Sequence, residues 1–298
     1  MHKTARALTA GLALVIAALP ADGSAADTAS DEPPPVERPS TIQEFMALRA
    51  TQGRTGVIAH RGFSGIAPEN TLVAIQKGID VGADMVEIDV GLTRDRHVVV
   101  LHDETLDRTT DGTGKLSDRD LDYVRGLDAG TWFSEAFEGE PVPTLDEVLD
   151  LVRGKILLNV EIKGEAVGDR AEGGIADRVL RAVRAKGMLD QIVISSFEPK
   201  ALAHARELDA EVVSASLYNR DLHAGMGPLE VMAEVGSNGF NLSKRQLTEE
   251  ILATCHGAGK PVAVYTVNDE KTLGKLVAMG VDAIFTDHPD RLLAIQGR

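Results

Sequence analysis

The chain has 298 residues, 43% of them hydrophobic, which is enough apolar material for one large domain or two ordinary ones. Its formal net charge of -15, from 46 acidic and 31 basic side chains, argues against a nucleic-acid partner, because phosphate backbones are bound by basic surfaces. Any anionic ligand must therefore be held by local charge, a metal ion or one or two placed cations. A lone cysteine, Cys255, excludes an intramolecular disulfide and reads as a small core residue.

At the start of the chain, Lys3 and Arg6, an apolar run from Ala7 to Ala21 and the small residues Ser24-Ala25-Ala26 read as a secretory signal peptide over 1–26. The apolar run is too short to span a bilayer comfortably. The mature chain is then expected to begin near Asp27, to be exported (periplasmic or secreted), and to carry no integral membrane segment. Residues 27–40, with Pro33, Pro34, Pro35 and Pro39 among acidic residues, read as an extended linker. A folded domain is expected over 41–298.

From Val57 onward, short β-branched runs alternate with segments of helical period, the pattern of βα units around a parallel sheet. The strand candidates are 56–60, 85–90, 98–102, 156–162, 192–196, 212–217, 239–242, 262–267 and 283–286. Amphipathic helices are expected between them, among others over 70–81, 173–186, 199–208 and 248–257. A (β/α)8 TIM barrel fits this repetition better than an open sheet. One run is surplus to eight, and 91–97 is too short to hold a crossover helix, so the barrel should be irregular near strands 2 and 3. Residues 104–143 carry turn chemistry (Asp111-Gly112-Thr113-Gly114, Gly139-Glu140-Pro141) and read as a long inserted loop with short helices.

Chemically capable residues sit at or near the carboxyl ends of the first four strand candidates, where barrel enzymes place their chemistry. His60 and Arg61 follow the first, Glu87 and Asp89 lie in the second, His102 and Asp103 end the third, and Glu161 and Lys163 close the fourth. Side chains alternate along a strand, so Glu87 and Asp89 share a face, as do Glu161 and Lys163. Crowded carboxylates repel unless one keeps a proton or a divalent cation joins them. All-oxygen ligation suits Ca²⁺ or Mg²⁺ rather than zinc. Taken one at a time these residues are ordinary: a strand carboxylate usually faces solvent, and a lone histidine usually satisfies a local hydrogen bond. It is their convergence that points to a site.

In order along the chain, Ala59-His60-Arg61-Gly62, Pro68-Glu69-Asn70-Thr71, Glu87-Ile88-Asp89-Val90, Leu101-His102-Asp103, Arg108-Thr109-Thr110, Pro143-Thr144-Leu145, Val160-Glu161-Ile162-Lys163, Ser195-Ser196-Phe197, Thr266-Val267-Asn268 and Thr286-Asp287 resemble the glycerophosphodiester phosphodiesterases, within the phospholipase C-like barrel enzymes. The resemblance implies that His60 and His102 are the catalytic acid–base pair and that Glu87, Asp89 and Glu161 bind one divalent metal ion. It further implies that Arg61 and Lys163 hold the phosphate of a small-molecule glycerophosphodiester. Tyr265 stands where the family often has Trp, a departure that touches substrate fit. Glu69 is expected to orient Arg61, while Glu69 and Asn70 also read as the turn that opens a helix. His97, His204, His223, His256 and His288 match no chemical motif and read as structural or surface residues.

The reaction these residues imply is metal-dependent hydrolysis to glycerol 3-phosphate and an alcohol. The ion is expected to be Ca²⁺, given export, with Mg²⁺ the other candidate. Which histidine is the acid stays open, as does the nucleophile, either water or the substrate's neighbouring hydroxyl through a cyclic phosphate. Three other readings compete. A lysophospholipase D would use Trp132, Phe133 and Phe137 in the inserted loop as an acyl site. A non-catalytic phosphodiester-binding protein would show damaged motifs, and an unrelated barrel such as a sugar-phosphate isomerase would share the fold alone.

Overall fold

A computed structural model describes residues 37–298; the leader expected over 1–26 and most of the linker expected over 27–40 lie outside the described residues. The first element is a helix, α1 (Ile42–Gln52). Thr41 caps it by accepting from the Glu44 amide while the Glu44 side chain returns to the Thr41 backbone, and Gly53 ends it in the left-handed conformation at φ 67°.

The chain then runs through β1 (Gly56–Ala59), α2 (Leu72–Asp80), β2 (Met85–Leu92), β3 (Val98–Val100), α3 (Leu121–Arg125), α4 (Leu145–Val152) and β4 (Leu157–Ile162). It continues through α5 (Ile175–Ala185), β5 (Ile192–Ser196), α6 (Pro199–Leu208), β6 (Ser214–Leu217) and α7 (Pro228–Val235). The last elements are β7 (Gly239–Ser243), α8 (Glu249–Gly257), β8 (Val262–Tyr265), α9 (Glu270–Met279), β9 (Ala283–Thr286) and α10 (Pro289–Ile295). Among the described residues, no helix is long and apolar enough to cross a membrane.

Strands β1, β2 and β4 to β9 pair in parallel, and β1 pairs with both β2 and β9, so the sheet closes into the expected (β/α)8 TIM barrel. The surplus run is β3, which pairs antiparallel with β2 through Val90 opposite Val100 and Leu92 opposite Val98. Five residues separate the two strands, enough for a reversal and too few for a crossover helix. Thr93 and His97 close that reversal through a 3.0 Å backbone bond, and Arg96 adopts φ 70° within it. His102 therefore reaches the rim on an antiparallel return outside the ring, and not at the carboxyl end of a barrel strand as its spacing suggests.

Two apolar layers follow from the strand alternation. Outward residues such as Val57, Val86, Ile88, Val160 and Ile194 pack under the helices. Inward residues Ile58, Met85, Leu157, Val193, Ala215 and Phe285 form a second cluster with Ile42, Phe45 and Met46, so α1 packs into the amino end of the barrel. The segment from Glu104 to Pro143 has a small core of its own, in which Leu106, Leu116, Val124, Ala129 and Val142 pack on Val99 and Leu101. Asp128 pins this segment by accepting from the amides of Gly130, Thr131 and Gly139 at 2.7, 2.9 and 2.9 Å.

Candidate active site

The charged cleft opens at the carboxyl rim and is lined by His60, Arg61, Glu87, His102 and Glu161 on one side. Phe197, Leu217, Tyr265 and Phe285 form the other wall, Tyr265 meeting Phe197 edge-on at 5.7 Å between ring centres.

Glu87 and Asp89 point into the barrel from β2, one step apart on the same face, and Asp89 lies beside Glu161 of β4 in the parallel register. One carboxylate oxygen from each of the three lies within 4.8 Å of the others. Arg61 Nε is 3.3 Å from Asp89, and Lys163 Nζ is 2.9 Å from Glu161 and 3.5 Å from Asp89. Two cations thus face three carboxylates. Burial, then Asp89 and Glu161, push the Glu87 carboxyl well above its ordinary range. Burial and Asp89 raise Glu161 to about 7. Asp89 goes the other way: burial opposes its charge, but Arg61, Lys163 and His102 outweigh it and hold the carboxyl below the usual value. Glu87 Oε1 is buried without any hydrogen-bond partner. An oxygen-only cluster with an orphaned acceptor and repelling neighbours fits a hard divalent cation.

The backbone around this cluster is shaped to serve it. Arg61 sits at φ 55°, an uncommon region for a residue with a side chain, and its amide donates to Glu87 Oε2 at 2.8 Å. Gly62 follows at φ 83°, where a Cβ would stand 2.5 Å from the Ala74 carbonyl carbon, so only glycine fits. Asn70, buried at φ 60°, donates to Asp89 Oδ2 at 2.9 Å and accepts from the Asp89 amide at 3.2 Å. Thr71 is the residue that caps α2, so Asn70 grips an acidic side chain in place of opening the helix. Glu69 accepts from Arg61 Nη1 at 2.7 Å.

Each imidazole is fixed from behind. His60 Nδ1 is 2.6 Å from Asp287 Oδ1, and its Nε2 is 4.0 Å from Glu87. Asn268 and Ser64 hold Asp287 in turn, at 2.6 and 3.0 Å. Burial works against the Asp287 charge, yet the hydrogen bonds with His60, Asn268 and Ser64 hold the carboxyl at about 2. His102 Nδ1 is 2.6 Å from Asp103 Oδ1. Burial is the largest influence on the His102 ring and lowers its pKa. A carboxylate at Nδ1 places the proton there and leaves Nε2 as the free acceptor.

The residues named from sequence thus converge: His60, Arg61, Glu87, His102, Glu161 and Tyr265 line the cleft, with Asp89, Lys163 and Glu69 in direct contact with them. Asp287, Asn268 and Arg108 carry no role in the sequence reading, Asp103 only a place at a strand end and Asn70 only that of opening a helix, although each lies in a stretch it singled out. His256 pairs with Asp282, His97 lies beside Asp95, and His223 is buried against Tyr218; none of these lines the cleft. Trp132 and Phe133 pack edge-on at 5.7 Å, Phe133 and Phe137 at 5.8 Å, and none of the three lines it either.

Residues 60–291 match the profile of the Glycerophosphoryl diester phosphodiesterase family. The Bacillus subtilis protein YhdW is 37% identical over 239 residues, covering 80% of this chain and 96% of that one. A glycerophosphodiester phosphodiesterase of Caldanaerobacter subterraneus is 35% identical over 241 residues, covering 80% and 97%. Among solved structures, an Oleispira antarctica phosphodiesterase in complex with the product sn-glycerol-3-phosphate superposes with a TM-score of 0.75 at 31% identity, covering 84% of this chain and 99% of that one. The sugar-phosphate isomerase and the non-catalytic reading both fall away, and the chain belongs to the glycerophosphoryl diester phosphodiesterase family as a phosphodiesterase on a (β/α)8 barrel.

Proposed function

We propose that the enzyme hydrolyses glycerophosphodiesters to glycerol 3-phosphate and an alcohol, with His60 and His102 as the acid–base pair and one divalent cation on Glu87, Asp89 and Glu161. The observation that carries this reading is the buried trio of carboxylates with two carboxylate-backed imidazoles on the same cleft. The product held by the Oleispira antarctica relative supports the same substrate class.

When bound, the ion supplies positive charge against the phosphate oxygens. Arg61 and Lys163, each already beside Asp89, add fixed cationic donors for the non-bridging oxygens. One imidazole accepts the proton of the attacking hydroxyl, and the other donates to the departing alkoxide. Asp287 and Asp103 each hold a proton on Nδ1 of their ring; the ring acting as base is neutral with Nε2 free to accept, and the ring acting as acid enters the step as an imidazolium that gives up its Nε2 proton, its charge offset by its carboxylate. The wall of Phe197, Leu217, Tyr265 and Phe285 presents carbon surface to the substrate and limits water in the cleft.

The attacking group in this scheme is the substrate's own vicinal hydroxyl, which closes a cyclic phosphate that water then opens. Phosphorus NMR under single-turnover conditions should detect the cyclic glycerophosphate; a reaction passing directly to glycerol 3-phosphate contradicts this route. The preferred ion is Ca²⁺, in keeping with the proposed export of the chain through its basic and apolar amino-terminal residues. Amino-terminal sequencing of the natural protein should begin near Asp27.

The packing of Trp132, Phe133 and Phe137 on one another favours water-soluble glycerophosphodiesters over acylated lysophospholipids. Turnover of glycerophosphocholine against lysophosphatidylcholine, with and without chelator, tests the proposal. Release of glycerol phosphate that stops on chelation and favours the unacylated substrate is expected. A marked preference for the lipid, or full activity without metal, refutes it.

A further inference from the structure

The inserted segment meets the catalytic rim through one guanidinium. Arg108 Nε and Nη2 donate to Asp103 at 2.6 and 3.0 Å, while Nη1 and Nη2 donate to Glu69 at 3.0 and 2.8 Å. Each carboxylate continues to a functional side chain: Asp103 to His102 Nδ1 at 2.6 Å, and Glu69 to Arg61 Nη1 at 2.7 Å. Arg61, Glu69, Arg108, Asp103 and His102 thus form an unbroken line of alternating charge. It joins the loop after β1 to the stretch after β3, which no backbone ladder links directly at this height.

Arg108 is itself firmly seated. It lies in the turn from Leu106 to Thr110, where the Thr110 hydroxyl donates to the Leu106 carbonyl at 2.6 Å and accepts from the Gly112 amide at 3.0 Å. Leu106 is fully buried in the insertion's own core, and Thr109 is buried beside it. An isolated surface ion pair contributes little, but a guanidinium forked onto two carboxylates fixes geometry as well as charge. The hydrogen bond from Arg108 is the largest influence on Asp103, holding it ionised against its partial burial.

We propose that Arg108 is a positioning residue: by bridging Glu69 and Asp103 it lets the inserted segment set the spacing and orientation of Arg61 and His102. This rests on the roles assigned above to those two residues. A lysine would keep the charge but could not fork onto both carboxylates.

Steady-state kinetics on glycerophosphocholine with saturating cation test it, comparing Arg108→Lys, Arg108→Ala, Asp103→Asn, the Arg108→Ala/Asp103→Asn double variant and His102→Ala. Both Arg108 variants should lose about 100-fold in kcat, the scale of a misplacement near 1 Å, and raise KM through the loosened Arg61. The double variant should be no slower in kcat than its slower parent, because the two residues act in one line. Calorimetric cation affinity should fall far less than kcat, since Arg108 touches none of Glu87, Asp89 and Glu161 and reaches Asp89 only through Arg61. Additive losses in the double variant, or cation affinity and thermal stability falling together with kcat, indicate a merely structural role and overturn the proposal. Wild-type kcat and KM in Arg108→Lys, with His102→Ala inactive, overturn the Arg108 inference alone. Substantial turnover by His102→Ala overturns the assignment beneath it, and the inference with it.

Discussion

Asp287→Asn separates the carboxylate that backs His60 from the imidazole itself. The Asp287 carboxyl, 29% exposed, sits at about 2 against an ordinary 3.8, a difference set against burial by its bonds with His60, Asn268 and Ser64. At about 1.36 kcal/mol for each pKa step of one, that is roughly 2.5 kcal/mol favouring the ionised form. The asparagine amide keeps the shape but lacks the charge that steadies an imidazolium at His60. If the whole stabilisation bears on the transition state, kcat falls by about 50- to 100-fold. The same shift links to stability. A depressed carboxyl stabilises the fold above its unfolded value near 4, and that contribution is lost as the pH falls towards 2. Urea unfolding of the wild type should therefore weaken by roughly 2 kcal/mol across that window more than unfolding of the variant does. A variant whose kcat stays within about threefold of wild type, while His60→Ala is inactive, refutes the reasoning; so does an unchanged acid limb.

Cation affinity should strengthen as the pH rises through about 7, because burial and Asp89 raise the Glu161 carboxyl to that value and a bound proton competes with the ion; calorimetric titrations at pH 6 and 8 measure this. Asp84, fully buried, is bound by Arg54 at 2.8 Å and doubly by Arg298 at 2.9 Å, so Asp84→Ala strands two guanidinium groups. It should cost about 3–5 kcal/mol in urea unfolding while kcat of the remaining folded enzyme is kept. Gly62→Ala places a Cβ against the Ala74 backbone at a left-handed φ, and should lower both the melting temperature and kcat by shifting the Arg61 amide that holds Glu87.

Period-two and helical patterns made the barrel legible, since β5, α6 and β9 occupy the spans the pattern gives and the other elements it names differ at their ends by one or two residues. Those ends depend on cap and ladder bonds that hydrophobicity does not encode. Helix α1 is not among the elements the sequence pattern gives, because its apolar contrast is weak and only its punctuation, the Thr41–Glu44 capping pair and Gly53, marks it. The short 91–97 link, too short for a crossover helix, marks the surplus run at strands 2 and 3, while the antiparallel return of β3 on β2 that carries His102 to the rim is a pairing that a run of valines does not encode. Glu87 and Asp89 could be paired, and Glu161 set beside them, because strand alternation gives each pair one face, while His60 and His102 stood out by following strand runs and by the motifs that carry the family resemblance. Their supports could not be found this way: Asp287 and His60 stand 227 positions apart, and Asn70 and Asp89 meet only once Asn70 adopts φ 60°. Such pairings are set by the closure of the barrel and leave no local spacing to read.

The most direct test of the account is an anomalous difference map from crystals soaked in Ca²⁺. The account predicts a single ion at about 2.3–2.6 Å from carboxylate oxygens of Glu87, Asp89 and Glu161, with both imidazole Nε2 atoms facing the same cleft. A cleft that stays metal-free at saturating Ca²⁺ and Mg²⁺, or an ion bound without these three carboxylates, contradicts it.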